Sequence, residues 1–574
     1  VFALPSHRPI RNRRVLLATT AAAGLVAGAR SQGYPAWETS GSTASAGLGT
    51  SVAATGDVDG DGLTDLLAGA PGDAPFGQAY VLSGANGAPL FSLAGTLANF
   101  GAAAAGVGDT DGDGVRDLLV GEPYAANGAG RATLFSGASG LPRLAFSGSG
   151  AGEQLGASVA GVGDQNGDGY ADVLIGRPGG SPPYPGQATV YSGLDGSVLL
   201  TLLGVWGGEQ FGRAVSEVGD VDGDGIPEVI VGAPYAILPG PVVVAGQARV
   251  FSGGSGTLLY TVSGGGVSDL FGSSVAGPLD ASGDGVPDFL VGAPQGPSFL
   301  GFAVGPGYAV LYSGANAAPL LTLAGSTTGE RFGKSVAWTG DVDGDGLSDL
   351  AVAAPAADSS AGYVAGRMTV FSGTSGAPLL DFRGDQAWAL AGWGTTGVGD
   401  ATGDGVPDLA LGSPLWDTPL LSDAGRVTLL SAVGLPAAST PVGSGCAGGG
   451  GFAPGIATFG GPPAPGNADF GISLARGLGG SLAFLFAATA SDPVGASIGG
   501  CGVHLAGSIL FLPPAVLLPG PPGVPGAGYR LRGMAVPPVP TLVGLVVPFE
   551  WAVADGGSPN GLFTTTAALA VTIL

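Results

Sequence analysis

One pattern recurs seven times along this 574-residue chain, and it limits the possible folds more than any other feature. The first copy reads GDVDGDGLTDLLAGAP and contains Asp57, Asp59, Asp61 and Asp65. Further copies begin at Asp109, Asp164, Asp220, Asp280, Asp341 and Asp400, at nearly constant intervals. In every copy a glycine lies eight residues before the first aspartate, from Gly49 to Gly392. Four of these glycines follow Phe100, Phe211, Phe271 and Phe332. A small-x-Pro triplet starts twelve residues after the first aspartate, as in Gly69-Ala70-Pro71. A period of this kind marks one supersecondary unit that buries its apolar face only against its neighbours.

The unit is read as strands divided by turns. Apolar runs such as Leu118–Val120 or Val229–Val231 follow the acidic loop and end at glycine and proline. A β-rich stretch such as Ala248–Gly253 comes next, then a turn and a segment such as Pro319–Leu323. No stretch of the repeat shows helical periodicity. Strand-only repeats of this length fit four-stranded blades, and seven copies fit a closed seven-bladed β-propeller. The seventh copy stops at Val427–Leu430 without the last strand of the earlier ones. Setting Gly49 over Gly333 sets Ala36–Thr39 over Leu320–Leu323. The N-terminal segment is therefore expected to complete the last blade and join the ends of the ring.

Each acidic loop places oxygen-bearing side chains at positions 1, 3, 5 and 9. In the first two loops these are Asp57, Asp59, Asp61 and Asp65, then Asp109, Asp111, Asp113 and Asp117. The third has Asp164, Asn166, Asp168 and Asp172, and the fourth Asp220, Asp222, Asp224 and Glu228. The fifth has Asp280, Ser282, Asp284 and Asp288, and the sixth Asp341, Asp343, Asp345 and Asp349. The seventh has Asp400, Thr402, Asp404 and Asp408. Such charges repel one another unless a cation sits among them, and hard oxygen donors suit Ca²⁺. The alternative is a solvated acidic turn. Up to seven ions are expected, one per repeat, with glycines at positions 4 and 6 turning the backbone and position 9 closing the site. The neutral third position should weaken three loops, those at Asp280 and Asp400 most. An EF-hand is excluded, because its loop ends on a bidentate Glu at position 12. Here that position is always apolar, from Ala68 to Leu411.

Phe-Gly, Asp-x-Asp-x-Asp-Gly-x-x-Asp and Gly-Ala-Pro in this order resemble the FG-GAP repeat of the integrin α-subunit β-propeller. The resemblance spans residues 33–435, the greater part of the chain. It implies the propeller fold and calcium. Families with this repeat include adhesion receptors and uncharacterised exported bacterial proteins, so it implies function less strongly.

The ends of the chain point to export. Arg8, Arg11, Arg13 and Arg14 precede an apolar run, Val15–Ala29, that ends in Ala27-Gly28-Ala29. Residues 1–29 are read as a signal peptide and the protein as secreted or at the cell surface, with no membrane span left after cleavage. Cys446 and Cys501 are then expected to form a disulfide. Residues 436–466 are rich in proline and glycine and read as a linker and domain entry. Residues 467–574 carry six short apolar segments and read as a small C-terminal β-sandwich. These are Phe470–Leu474, Ser481–Ala488, Ser508–Leu512, Tyr529–Met534, Leu545–Ala552 and Ala567–Leu574. The fold class is therefore all-β, a seven-bladed propeller followed by a sandwich.

Charge and motifs narrow the function. The net charge is −24, which disfavours nucleic acid. Yet 25 of the 43 acidic residues lie in the seven loops, so the remainder of the chain is nearly balanced. No catalytic residue is assigned, since His504 is the one histidine beyond the signal segment and no phosphate-binding or paired-carboxylate motif is visible. A binding surface fits better. The connection from the triplet proline to the next strand-opening glycine is short in the first three copies, at Pro71–Gly77, Pro123–Gly130 and Pro178–Gly186. It is longer in the last four, at Pro234–Gly246, Pro294–Gly307, Pro355–Gly366 and Pro414–Gly425. Those longer loops carry Ile237, Leu238, Phe299, Leu300, Phe302, Tyr363, Trp416 and Leu420. The expected function is an extracellular calcium-binding adhesion module whose protein or glycan partner docks on this long-loop face of repeats 4–7. The other readings are loops that merely pack on one another or on the C-terminal domain, a scaffold for an extracellular hydrolase or lyase, and a structural cell-envelope protein.

Overall fold

The computed structural model describes residues 34–431 apart from three loops at 180–183, 239–242 and 297–304, and beyond 431 the backbone of nine strands between 439 and 572. Each repeat forms one four-stranded antiparallel sheet, and together they make a seven-bladed propeller. The first blade contains Ser51–Gly56, Asp65–Ala70, Gln78–Leu82 and Pro89–Ala94, paired in chain order. The next five blades repeat this order. The first strands of successive blades touch one another, and the last touches the first, so they line the central axis. The second strands, such as Asp65–Ala70 and Asp288–Ala293, are buried at every residue except Arg177 of the third blade. A strand covered on both sides reads as an unbroken apolar run, and Leu66-Leu67-Ala68 is one.

The axial strands were not among the segments recognised from sequence. Ala103–Gly108 reads AAAGVG, mostly small residues without the alternation of bulky side chains that marks a strand. The glycines of the Phe-Gly and Gly-Ala-Pro motifs have a steric cause. A Cβ on Gly69 would lie 1.9 Å from the carbonyl oxygen of Gly101, where the next repeat crosses over. Phe100 beside it is buried among Leu67, Val81 and Leu118, in the seam between two blades.

Ring closure follows the expected register. Tyr34–Ser40 pairs antiparallel with Arg426–Ser431, setting Trp37 opposite Leu429 and Thr39 opposite Val427. This clasp also reaches the first blade, where the Trp37 indole N–H donates to the Gly84 carbonyl at 2.7 Å. Arg426 is buried at 2% exposure and pins the join. Its guanidinium donates to both carboxylate oxygens of Asp385, lies 3.1 Å from Glu38 and covers the Trp416 ring. The Tyr124 region holds a four-residue helical turn, Ala125–Gly128, with Ala126 and Asn127 left-handed.

Beyond the ring, strands Gly471–Gly477, Leu482–Ile498, Cys501–Leu517, Gly528–Gly533, Val546–Ala554 and Ala568–Thr572 overlap the six apolar segments read from the sequence. With Ser439–Val442, Gly455–Phe459 and Phe563–Thr565 they pair into a six-stranded and a three-stranded sheet. The signal segment and Cys446 lie outside the described residues. Among the described residues no helix is long and apolar enough to cross a membrane.

Candidate metal centres

Antiparallel pairing sorts the connections by face. The acidic loops join first to second strands, so all seven emerge on one face together with the turns between third and fourth strands. The Phe-Gly segments and the proline-triplet loops emerge on the other face.

Each acidic loop is wrapped by its own backbone. Asp57 accepts hydrogen bonds from Gly60 N–H at 2.7 Å and Gly62 N–H at 2.8 Å. Asp61 accepts from Leu63 N–H at 2.8 Å. The same position 1 to 6 and position 5 to 7 bonds recur in the other six loops. Gly60 and Gly62 have φ of +81° and +89°, a backbone that other residues rarely adopt.

The ninth position also ties the loop to the sheet. Asp65 is fully buried, and both of its oxygens already have backbone donors. One takes the N–H groups of Val58 and Asp59, at 2.8 and 3.3 Å. The other takes Gly84 N–H at 2.9 Å, from the turn between third and fourth strands. Asp172, Asp288 and Asp349 make the equivalent pair of ties. The ninth residue is thus a bracket between two turns as well as a wall of the acidic cluster. Burial pushes its carboxyl above the ordinary range, Asp172 and Asp349 to about 6 and Glu228 to about 7. Burial also acts to raise Asp109, but the N–H groups of Gly114 and Gly112 outweigh it and hold this carboxyl low.

Ligand-capable oxygens converge within 4.8 Å of one another in four loops: Asp57, Asp59 and Asp61; Asp109, Asp111 and Asp117; Asp341, Asp343 and Asp349; and Asp220, Asp222, Asp224 and Glu228. These four loops are the ones whose four positions are all carboxylates. The fourth loop gathers all four side chains, because the extra methylene of Glu228 reaches further than aspartate. Oε1 of Glu228 is buried and has no hydrogen-bond partner, an orphaned acceptor of the kind a bound cation would satisfy.

Two loops supply a substitute for an ion. In the third, the Asn166 amide N–H donates to Asp168 at 2.9 Å. In the second, the Arg143 guanidinium sits 3.2 Å from Asp111 and 3.3 Å from Asp117. The spacing reading ranked this loop among the strongest and overlooked Arg143. The available signal was an arginine at the outer-strand position that is leucine in the neighbouring copies, Leu90 and Leu199.

On the opposite face Ile237, Tyr363 and Leu420 are exposed, Leu420 at 91%. Leu238 and Trp416 are half-buried, Trp416 because Arg426 lies over it. Phe299, Leu300 and Phe302 lie outside the described residues. Trp206 and Trp388, on connections between fourth and first strands, add exposed aromatic surface to this face.

A closed ring of seven antiparallel blades, each with an acidic loop between its two inner strands, places the chain among β-propellers built from repeats. More narrowly, the chain carries FG-GAP repeats. Residues 48–82, 100–135, 155–191, 211–251, 332–370 and 392–430 match the FG-GAP repeat model. The fifth copy lies outside those matches, yet its blade, between Ser274 and Ala324, has the same four strands. The chain is similar to integrin alpha-5 of Xenopus laevis, 29% identical over 207 residues, covering 32% of this chain and 20% of that protein. It is similar to integrin alpha-V of Gallus gallus, 31% identical over 229 residues, covering 38% and 21%. It is also similar to integrin alpha-8 of Mus musculus, 31% identical over 207 residues, covering 32% and 19%. The chain spans about a fifth of the length of these curated relatives.

Proposed function

We propose that this chain is a secreted or cell-surface binding module, stabilised by calcium on one face of its propeller and docking a protein or glycan partner with the other. The observation that carries the reading is the separation of the two faces. The acidic clusters gather where the loops are short and self-wrapped, and exposed apolar and aromatic side chains gather on the longer loops opposite. Oxygen-only donor sets of three or four carboxylates suit a hard cation. Asp57, Asp59 and Asp61 would hold one ion, Asp341, Asp343 and Asp349 a second, and Asp220, Asp222, Asp224 and Glu228 a third. Asp65 walls the first of these sites. The second loop already holds Arg143 and is expected to bind weakly, as are the loops with Asn166, Ser282 and Thr402. Extracellular calcium modules bind with dissociation constants of roughly 10⁻⁴ to 10⁻³ M.

The signal segment, the Cys446–Cys501 disulfide, the linker at 436–466 and the C-terminal sandwich belong to the same reading. Two measurements test it. The melting curve of calcium-loaded protein should fall on adding EDTA, and an unchanged curve sinks the calcium half. Capture of a partner on a glycan array or in a pull-down, with and without calcium, should be lost when the four long loops are shortened to the length of the first three. Undiminished capture sinks the docking half.

A further inference from the structure

Two residues of every repeat stand at the axial mouth on the face away from the acidic loops. One precedes the phenylalanine position and the other follows its glycine, directly before the axial strand. None of these fourteen residues is acidic, in a chain with 43 Asp and Glu. Three are cations: Arg213, Arg331 and Lys334, the last being the only lysine in the chain. All three line a cavity of about 430 Å³ to which successive blades contribute, and no carboxylate lines it. Its other polar lining includes the amides of Gln154 and Gln210 and the rings of Tyr124 and Tyr235.

These cations are unlike most others among the described residues. Seven arginines pair with Asp or Glu: Arg131, Arg143, Arg177, Arg249, Arg367, Arg383 and Arg426. Among the described residues no ion pair involves Arg213, Arg331 or Lys334. The Lys334 ammonium lies 4.7 Å from the centre of the Trp393 ring. Burial, then the like charges of Arg213 and Arg331, lower the lysine to about 8. Three positive groups held together in an acidic protein, without a counter-charge, are an incomplete arrangement that an anion would complete.

We propose that this axial mouth binds an anionic saccharide. Arg213, Arg331 and Lys334 hold its carboxylate or sulfate groups. The two glutamine amides, able to donate and accept, meet its hydroxyls, and the tyrosine rings meet its ring faces. A concave polar cavity of this volume is on the scale of a small-ligand site, whereas a protein partner covers a broad patch of about 800 Å². The inference rests on the reading of this face as the docking face and names the chemistry at its centre.

The test uses the full chain and four probes: a uronic-acid tetrasaccharide, a sulfated tetrasaccharide, a neutral tetrasaccharide and an Asp/Glu-rich peptide. Calorimetric titration should show binding of one or both anionic saccharides, and comparing those two tells which anion is preferred. The neutral sugar and the peptide should bind at least tenfold more weakly. Arg213→Gln with Arg331→Gln and Lys334→Met should cut saccharide affinity at least tenfold at an unchanged melting temperature. A measurement that needs no variant exploits the single lysine. The saccharide should protect Lys334 from acetylation, read by mass spectrometry. No binding of either anionic saccharide, no protection of Lys334, or equal binding of the peptide overturns the proposal. If shortening the long loops abolishes partner capture while no saccharide protects Lys334, the axial site is wrong and the docking face stands.

Discussion

The two faces of this ring are made by the same seven repeats, yet they repeat to different degrees. On the acidic face the loops are near copies, with the same two glycines and the same backbone bonds from positions 6 and 7. On the opposite face the corresponding connections change from copy to copy. The connection after the triplet proline is short at Pro71–Gly77 and much longer at Pro294–Gly307. The residue after the Phe-Gly glycine is Ala102, Arg213, Ser273, Lys334 or Trp393 in different copies. Uniformity is found where a loop must satisfy its own carboxylates. Variety is found where side chains are not consumed by the fold and are free to meet something else.

The contrast can be broken most forcefully by removing calcium. At a tenfold excess over its dissociation constant each filled site adds about 1.4 kcal/mol. Loss of three or four sites should lower the melting temperature by roughly 10 °C, measured by calorimetry before and after EDTA. Next in size is Asp65→Ala, which strands three backbone donors and should cost about 3 kcal/mol even in EDTA. If its cost vanished without calcium, the bracket role of position 9 would be wrong. Arg143→Gln should then free the second loop and add one bound Ca²⁺ per chain, counted by calorimetric titration. An unchanged count would mean that the guanidinium does not stand in for an ion.

The smallest effect belongs to the opposite face. Lys334, lowered to about 8, should titrate in that range by NMR of the methylated amine, and Arg213→Gln should raise it. Because its folded value lies below the unfolded one, the cost of burying the charge is fully present under pH 8. That cost is relieved as pH rises towards about 10.4, so this residue favours stability on the alkaline side.

What the sequence made legible is what spacing encodes locally. The acidic positions, the turning glycines and the missing strand of the seventh blade are all fixed offsets from one aspartate. The arrangements that escaped depend on residues brought together from far apart. Arg143 reaches the second loop from the outer strand of its own blade, and Arg331 lines one cavity with Arg213 from two blades away. The axial strands escaped for another reason, since a strand such as Ala103–Gly108 is mostly alanine and glycine, which carry no strand signature. Trp416, on one of the longer loops, is sheltered by an arginine whose partners are Asp385 and Glu38.

The clasp has a temporal consequence. Six blades are each made from consecutive strands and can assemble as soon as their own repeat exists. The seventh joins residues from opposite ends of the ring, where Thr428 meets Glu38, 390 positions away. Within the ring, the strand that is made earliest is therefore the last to find its sheet. Until it does, Arg426–Ser431 is an unprotected edge open to pairing with another chain, and closure is the high-contact-order step of the assembly. Shedding residues 34–40 would leave every acidic loop intact and return the ring to that unfinished, adhesive stage of its own synthesis.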